Sequence, residues 1–327
     1  MDLELLSQTL EAAGEPRYRR EQVWAWLARG AASYEEMSDL PVTLRAALAE
    51  RVPLCTLRVE SEARASDGTV KALLRTADGH AVETVLMRYR DGRRSLCLSS
   101  QSGCPLTCSF CATGQMRFAR NLTRDEIVDQ ALHFRREGPV DHAVFMGMGE
   151  PMMNLDAVLA ACDLLPDLGI TRRRTAISTV GWIPGIERLT ASGVPVRLAL
   201  SLHAPEDALR SKLMAVNDRY PLAEVLEACR AHWAATNRKV FIEYVMLAGI
   251  NDRYEQALAL ARLLSPREAF KVNLIPYNPT GSPYEGSGRE AISAFRAALE
   301  SRGVPVTVRL TRGRDIAAAC GQLAAAS

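Results

Sequence analysis

The hydrophobic rhythm of the chain changes twice. Over the first fifty or so residues apolar side chains recur at helical spacing: Val23, Trp26 and Leu27 stand beside Arg19, Arg20 and Glu21, and Pro41 opens a segment with Leu44 and Leu48 on one face. This predicts a small helical accessory domain over residues 1–52. From about Thr56 to Tyr89 short β-rich runs are separated by Asp67-Gly68, Asp78-Gly79 and Asp91-Gly92. Asp-Gly pairs favour tight reversals, so an antiparallel β-meander is expected over 53–92. From residue 93 onward strand-like runs alternate with amphipathic helical ones. Strands are expected at Ser95–Ser99, Ala143–Gly147, Thr175–Ser178, Val196–Ser201, Val240–Val245, Lys271–Ile275 and Val306–Leu310, with helices such as Arg124–Glu137, Leu155–Leu165 and Leu222–Thr236 between them. Such alternation implies an α/β domain with a parallel sheet and crossover helices, and the number of units points to a barrel or partial barrel. Ligands in these folds sit at the carboxyl ends of the strands, and the polar motifs SSQSGC, GMGEP, STVG, SLHAP and YNPTG all fall there.

Composition removes several classes of function. No apolar run approaches the roughly 20 residues of a membrane span, since Asp156, Asp163 and Asp167 interrupt the most apolar region of the middle. Met1 to Leu10 has neither the basic nor the apolar region of a secretory signal, so the eight cysteines do not read as a disulfide set, and the cytoplasm is the expected compartment. A net charge of +2 does not mark the whole chain as a polyanion binder. Local groups matter more: Arg172, Arg173 and Arg174 read as a solvated face, whereas Arg309, Arg312 and Arg314 flank the tail motif and are candidates for phosphate contact.

The chemistry is concentrated in GCPLTCSFC, where Cys104, Cys108 and Cys111 leave three residues and then two between them. A structural zinc site usually has four Cys or His ligands, and no second ligand pair lies nearby. Three thiolates on a 4Fe-4S cluster leave one iron without a protein ligand, a place for a small molecule to coordinate. Cys55, Cys162 and Cys229 carry no motif and read as packing residues.

The strings GCPLTCSFCATGQ, RNLTRDEIVDQ, MGMGEPMMN, LALSLHAP, VNLIPYNP and TRGRDIAAACGQL together resemble the RlmN/Cfr family of radical S-adenosylmethionine (SAM) RNA methyltransferases, from about Arg20 to Leu323. The tail string is the most specific part. The resemblance implies a partial (β/α)6 TIM-like barrel of the radical SAM type over 93–327, ending in a tail with a catalytic cysteine. It implies one 4Fe-4S cluster on Cys104, Cys108 and Cys111, and two SAM molecules per turnover. One SAM methylates Cys320. The other is cleaved to a radical that activates this methyl group for addition to an adenine carbon, giving a covalent protein–RNA thioether that Cys97 resolves by forming a disulfide with Cys320. Glu83, in AVETV, corresponds to the base that removes the adenine proton. Gly149, Glu150, Ser178, Ser201, Leu202, His203 and Asn278 correspond to SAM contacts.

The implied partners are 23S ribosomal RNA, transfer RNA as a further candidate, and an electron donor such as flavodoxin or ferredoxin; no membrane is involved, and the expected state is a monomer. Carbon 2 and carbon 8 of adenine use the same machinery, and the helical N-terminal domain and Glu83 favour carbon 2. Two other classes stay open. A radical SAM enzyme acting on a small molecule or peptide leaves Cys97 and Cys320 unexplained, and a zinc or iron–sulfur RNA-binding module leaves GMGEP and SLHAP unexplained.

Overall fold

The computed structural model describes residues 1–324. It opens with α1 (Leu3–Ala12), capped by the Asp2 carboxylate, which accepts from the amides of Glu4 and Leu5 at 3.0 and 2.8 Å; α2 (Tyr18–Arg29) and α3 (Val42–Arg51) follow. Their inward residues Leu6, Val23, Leu27 and Leu48 belong to the same hydrophobic core as Leu132 and Phe134 further along the chain. The Trp24 indole also donates to Asp167 at 2.7 Å. The N-terminal helices are therefore packed onto the rest of the molecule.

The next four strands are β1 (Arg58–Arg64), β2 (Val70–Arg75), β3 (Ala81–Arg88) and β4 (Arg94–Cys97), each antiparallel to the one before. Gly68, Gly79 and Gly92 close the three turns at positive φ, a conformation with little steric cost for glycine, and this is why the Asp-Gly pairs fall between strands. β5 (Gln101–Ser102) and β6 (Arg120–Asn121) make a separate ribbon that brackets the cysteine loop. Then β7 (His142–Phe145), β8 (Thr175–Thr179), β9 (Arg197–Ser201), β10 (Val240–Met246), β11 (Phe270–Pro276) and β12 (Val306–Val308) follow β4 in parallel.

Among the described residues these form one ten-stranded sheet in the order β1-β2-β3-β4-β7-β8-β9-β10-β11-β12. The meander is thus joined to the parallel part through β3 and β4, and β1 and β12 are left as its two edges. The parallel strands are almost continuously buried, as expected where helices cover the sheet. Those helices are α4 (Arg124–Arg135), α5 (Leu155–Leu164), α6 (Ile183–Ser192), the short α7 (Asp207–Leu213), α8 (Leu222–Thr236), α9 (Tyr254–Leu263) and α10 (Arg289–Glu300). α4 begins at a capping box in which Thr123 accepts from the Glu126 amide and Glu126 accepts from the Thr123 amide. No helix among the described residues is long and apolar enough to cross a membrane.

After β12 the tail runs back across the molecule. The Ser66 amide donates to Asp315 at 3.0 Å and the Gly313 amide to Asp67 at 3.1 Å, which fastens the tail to the β1–β2 turn. The Ala112 amide donates to the Gly321 carbonyl at 2.8 Å, and Gln322 donates to the Pro279 carbonyl at 2.8 Å. One short segment is therefore tied to the meander, the cysteine loop and the exit of β11.

Candidate active site

Cys104, Cys108 and Cys111 lie on the loop between β5 and β6. The Ser109 amide donates to the Leu213 carbonyl at 3.0 Å, and Cys108 forms an isolated β-bridge with Met214, so the loop is seated on the end of α7. All three cysteines line one cavity at the carboxyl ends of the parallel strands. Burial pushes Cys104 up to about 12, drives Cys108 well above the usual thiol range and raises Cys111. Such thiols stay protonated until a metal displaces the proton. Among the described residues no group of three or more Cys, His, Asp or Glu is gathered tightly enough to hold a single metal ion. A single tetrahedral zinc would need sulfurs about 4 Å apart, from Zn–S bonds of about 2.3 Å. Three half-buried thiols around one cavity are a donor set that fits an iron–sulfur cluster with one iron left for a small molecule.

The same cavity is lined by Gly149, Glu150, Ser178, Ser201, His203, Asn278 and Cys320, so it gathers these candidate residues from four strand ends and the tail. Glu150 is buried and accepts from the amides of Met152 at 3.1 Å and Val180 at 3.0 Å. Burial raises it to about 7 against the pull of those amides. The His203 Nδ1 accepts from the Val245 amide at 3.0 Å, which assigns its proton to Nε2; burial pulls it down to about 3, so the ring is neutral at physiological pH. Ser178 and Ser201 face each other with their hydroxyl oxygens 3.4 Å apart. Leu202 is placed differently: it is fully buried in the core, and the lining comes from the residues on either side of it.

Gly149 shows why the GMGEP turn has its sequence. Its φ is +97°, and an added Cβ would stand 2.5 Å from the Gln101 Cβ and 2.7 Å from the Gln101 Oε1 that holds the Glu150 amide. Gly149→Ala should therefore cost about 1–3 kcal/mol in backbone strain and displace Glu150. The expected outcome is a lower melting temperature together with weaker SAM binding by calorimetry; an unchanged SAM affinity would show that Glu150 does not depend on this turn.

A second cavity, of about 320 Å³, adjoins the first and is lined by Cys97, Tyr89, Met87, Arg93, Arg312 and the tail residues Ala318–Gly321. Cys320, Asn278 and Met146 line both cavities. Cys320 is an exposed residue, but the surface it exposes belongs to these cavities, and its thiol is pushed up to about 11 by burial, with Arg309 pulling the other way. Burial takes Cys97 up to about 12, and the neighbouring Cys320 adds to the rise. Asn278 donates to the Cys320 carbonyl at 3.2 Å.

Glu83 does not line either cavity. It pairs with Lys71 at 2.8 Å and accepts from the Ala324 amide at 2.8 Å, so the tail covers it. The antiparallel register pairs Val85 with Cys97, which puts Glu83, Val85 and Cys97 on one sheet face. On that face Val85 packs with Met148, Ala318 and Leu323.

Arg309 and Arg312 are half-buried and Arg314 is exposed, and each has a partner within the protein. Arg309 pairs with Glu243 at 3.0 Å, Arg312 lies over the Tyr89 ring and 3.7 Å from Asp67, and Arg314 donates to Asn278 at 3.3 Å. These contacts order the tail and the cavity wall.

Two residues of the site were not legible in the sequence. Glu243, in the apolar run VFIEYVM, lines the first cavity; its Oε1 accepts from Asn273 and Arg309, and its buried Oε2 has no hydrogen-bond partner. A lone acid in a buried strand was the available signal. Arg210, in what reads as an ordinary helical turn, is fully buried.

The comparisons agree with this geometry. Residues 98–261 match the radical SAM superfamily model, and residues 1–54 match the ribosomal RNA large subunit methyltransferase N-terminal domain. A probable dual-specificity RNA methyltransferase RlmN of Moorella thermoacetica is 48% identical over 99% of this chain and 96% of its own length. One of Chloroflexus aurantiacus is 47% identical, covering 99% and 91%. A crystal structure of a radical SAM methyltransferase from Sphaerobacter thermophilus superposes with a TM-score of 0.93 at 45% identity, covering 100% of this chain and 98% of that one. With three cysteines on a cavity at the strand ends, a tail cysteine facing them and relatives alike over nearly their whole length, this chain belongs to the RlmN family of radical SAM RNA methyltransferases.

Proposed function

We propose that the enzyme methylates carbon 2 of adenine, in 23S ribosomal RNA and in transfer RNA, through a methylated Cys320 and a covalent RNA thioether. The observation that carries this reading is the place of Cys320 on both cavities: one side meets the cluster cysteines and Glu150, the other meets Cys97. Carbon 2 of adenine is neither acidic nor nucleophilic, so a methyl group cannot reach it by simple displacement. Cys104, Cys108 and Cys111 would hold a cluster that, reduced by a flavodoxin or ferredoxin, would supply the electron for reductive cleavage of SAM. The remaining steps belong to the chain. Glu150 and the carbonyls around Gly149 accept the N–H donors of the SAM amino group, and Ser178, Ser201, His203 and Asn278 line the rest of that pocket. Cys320 takes a methyl group from one SAM and carries it to the adenine, so a second SAM is needed for the radical. The second cavity receives the base: an apolar cavity of about 150 Å³ admits benzene, so 320 Å³ accommodates a two-ring base turned out of its stack.

Glu83 removes the adenine proton once the tail has shifted from it, which makes the base act only after Cys320 has moved. Glu83→Gln should slow RNA methylation by about 10²–10⁴-fold, the usual worth of a general base, while Cys320 still accepts methyl from labelled SAM. Equal loss of both steps would assign Glu83 a structural duty through Lys71 instead. Nucleoside mass spectrometry after reaction of the reconstituted enzyme with each RNA tests the whole reading. The expected product is 2-methyladenosine from both; 8-methyladenosine, or modification of neither RNA, would overturn it.

A further inference from the structure

Arg210 is a fully buried guanidinium that makes no ion pair among the described residues. Its donors go to neutral oxygens. Nε donates to the Leu202 carbonyl at 3.2 Å, one terminal nitrogen to the Asn217 side chain at 2.9 Å, and the other to the carbonyls of Ser201, at 3.3 Å, and Val180. Those carbonyls lie at the exits of β8 and β9, beside Ser178, Ser201 and His203. The Val180 amide, from the same residue, holds Glu150. On its own helix Arg210 is one turn from Met214, whose amide donates to the Arg210 carbonyl at 2.7 Å and which forms the β-bridge with Cys108.

A buried cation costs several kcal/mol unless an anion or a full set of hydrogen bonds offsets it. Carbonyl dipoles supply part of that compensation. Burial weakens its hold on the proton, drawing it down to about 10; the nearby groups that attract it when ionised are Cys108 first, then Asp207 and Cys229. Asp207 is already engaged, accepting from the Leu222 amide at 2.8 Å. A cluster bound through three thiolates is an anion whose charge grows by one on reduction, and Cys108, bridged to Met214 one turn from Arg210, would be the ligand that this cation feels most.

We infer that Arg210 is a positioning residue that sets the reduction potential of the cluster while pinning the strand ends that form the SAM pocket. It rests on the reading of Cys104, Cys108 and Cys111 as cluster ligands. A cation favours the more negative, one-electron-reduced cluster, so its presence raises the potential. The electron itself comes from a reduced flavodoxin- or ferredoxin-type donor.

The test is a redox titration of reconstituted protein followed by electron paramagnetic resonance, with iron content measured in parallel. Arg210→Met and Arg210→Gln should lower the potential by the equivalent of a tenfold or larger change in the reduction equilibrium, about 59 mV for one electron. Arg210→Lys keeps the charge but cannot span the three carbonyls; it should retain the potential and lose SAM affinity. Asn217→Asp leaves Arg210 in place and puts a carboxylate on it, so it should lower the potential even if the neutral variants fold poorly. A merely structural role would change melting temperatures without sorting the potentials by charge. Iron-loaded Arg210→Gln and Asn217→Asp with the wild-type potential would overturn the inference. Wild-type protein that takes up no iron would instead overturn the cluster reading on which it rests.

Discussion

Cys97→Ala should be isolated with RNA attached to it, and Cys320→Ala should not. The asymmetry follows from the two cavities. Cys320 reaches both, whereas Cys97 faces the second alone. In the proposed cycle the Cys320 sulfur is bonded through a methylene carbon to the adenine. Release requires the Cys97 sulfur to attack the Cys320 sulfur; the carbon–sulfur bond breaks, the carbon keeps the electron pair and takes a proton, and a disulfide remains. With Cys97 absent no other thiol lines the second cavity beside Cys320, and Cys104, Cys108 and Cys111 would be committed to the cluster. Labelled methyl should therefore enter Cys97→Ala and persist as a slowly migrating RNA-linked band on a denaturing gel. Cys320→Ala should take up no label. A Cys97→Ala protein free of RNA, under conditions in which wild type turns over, would sink the thioether route.

Alanine at any one of Cys104, Cys108 or Cys111 should abolish both the iron chromophore and reductive cleavage of SAM, a loss to background rather than a graded decline. Two thiolates leave two irons of a cubane without protein ligands, and neither Glu150 nor neutral His203 is placed to replace a sulfur: both already hold backbone amides. The fold itself should survive, because the cysteine loop is anchored independently through Ser109, Ala112 and the Cys108 backbone bridge to Met214. Burial raises all three thiols, so each iron–sulfur bond must expel a proton. Anaerobic reconstitution should accordingly become more favourable as pH rises. Iron and sulfide analysis with visible spectroscopy checks both points; a single-cysteine variant that retains a full cluster would remove that cysteine from the ligand set.

What the sequence disclosed follows a physical rule. The Asp-Gly turns and the parallel strands were legible because they depend on local geometry and on a burial pattern of short period. Leu222–Thr236 is a helix over the expected span, opened by Pro221 and closed by Asn237 in the left-handed conformation. The cysteine spacing was equally local. Glu243 and Arg210 were hidden because their meaning depends on burial and on neighbours distant in the chain, such as Arg309 for one and Val180 for the other. The partners of the tail arginines were hidden for the same reason: charge is visible in a sequence, whereas Asp67 and Glu243 come to meet Arg312 and Arg309 only after folding. Leu202 shared the SLHAP string with two lining residues, yet the alternation of side chains along the chain turned it to the core.

The stitching of the tail to the β1–β2 turn has a consequence for how the molecule comes into being. The contacts from Ser66 to Asp315 and from Glu83 to Ala324 close loops of 249 and 241 residues. The entropic cost of such closure rises only with the logarithm of length, but pairings this remote are slow to find. During synthesis the strands up to β11 can pair before the tail is available to dock. The wall that Cys320 and Gly321 give to both cavities is thus the last part of the site to close.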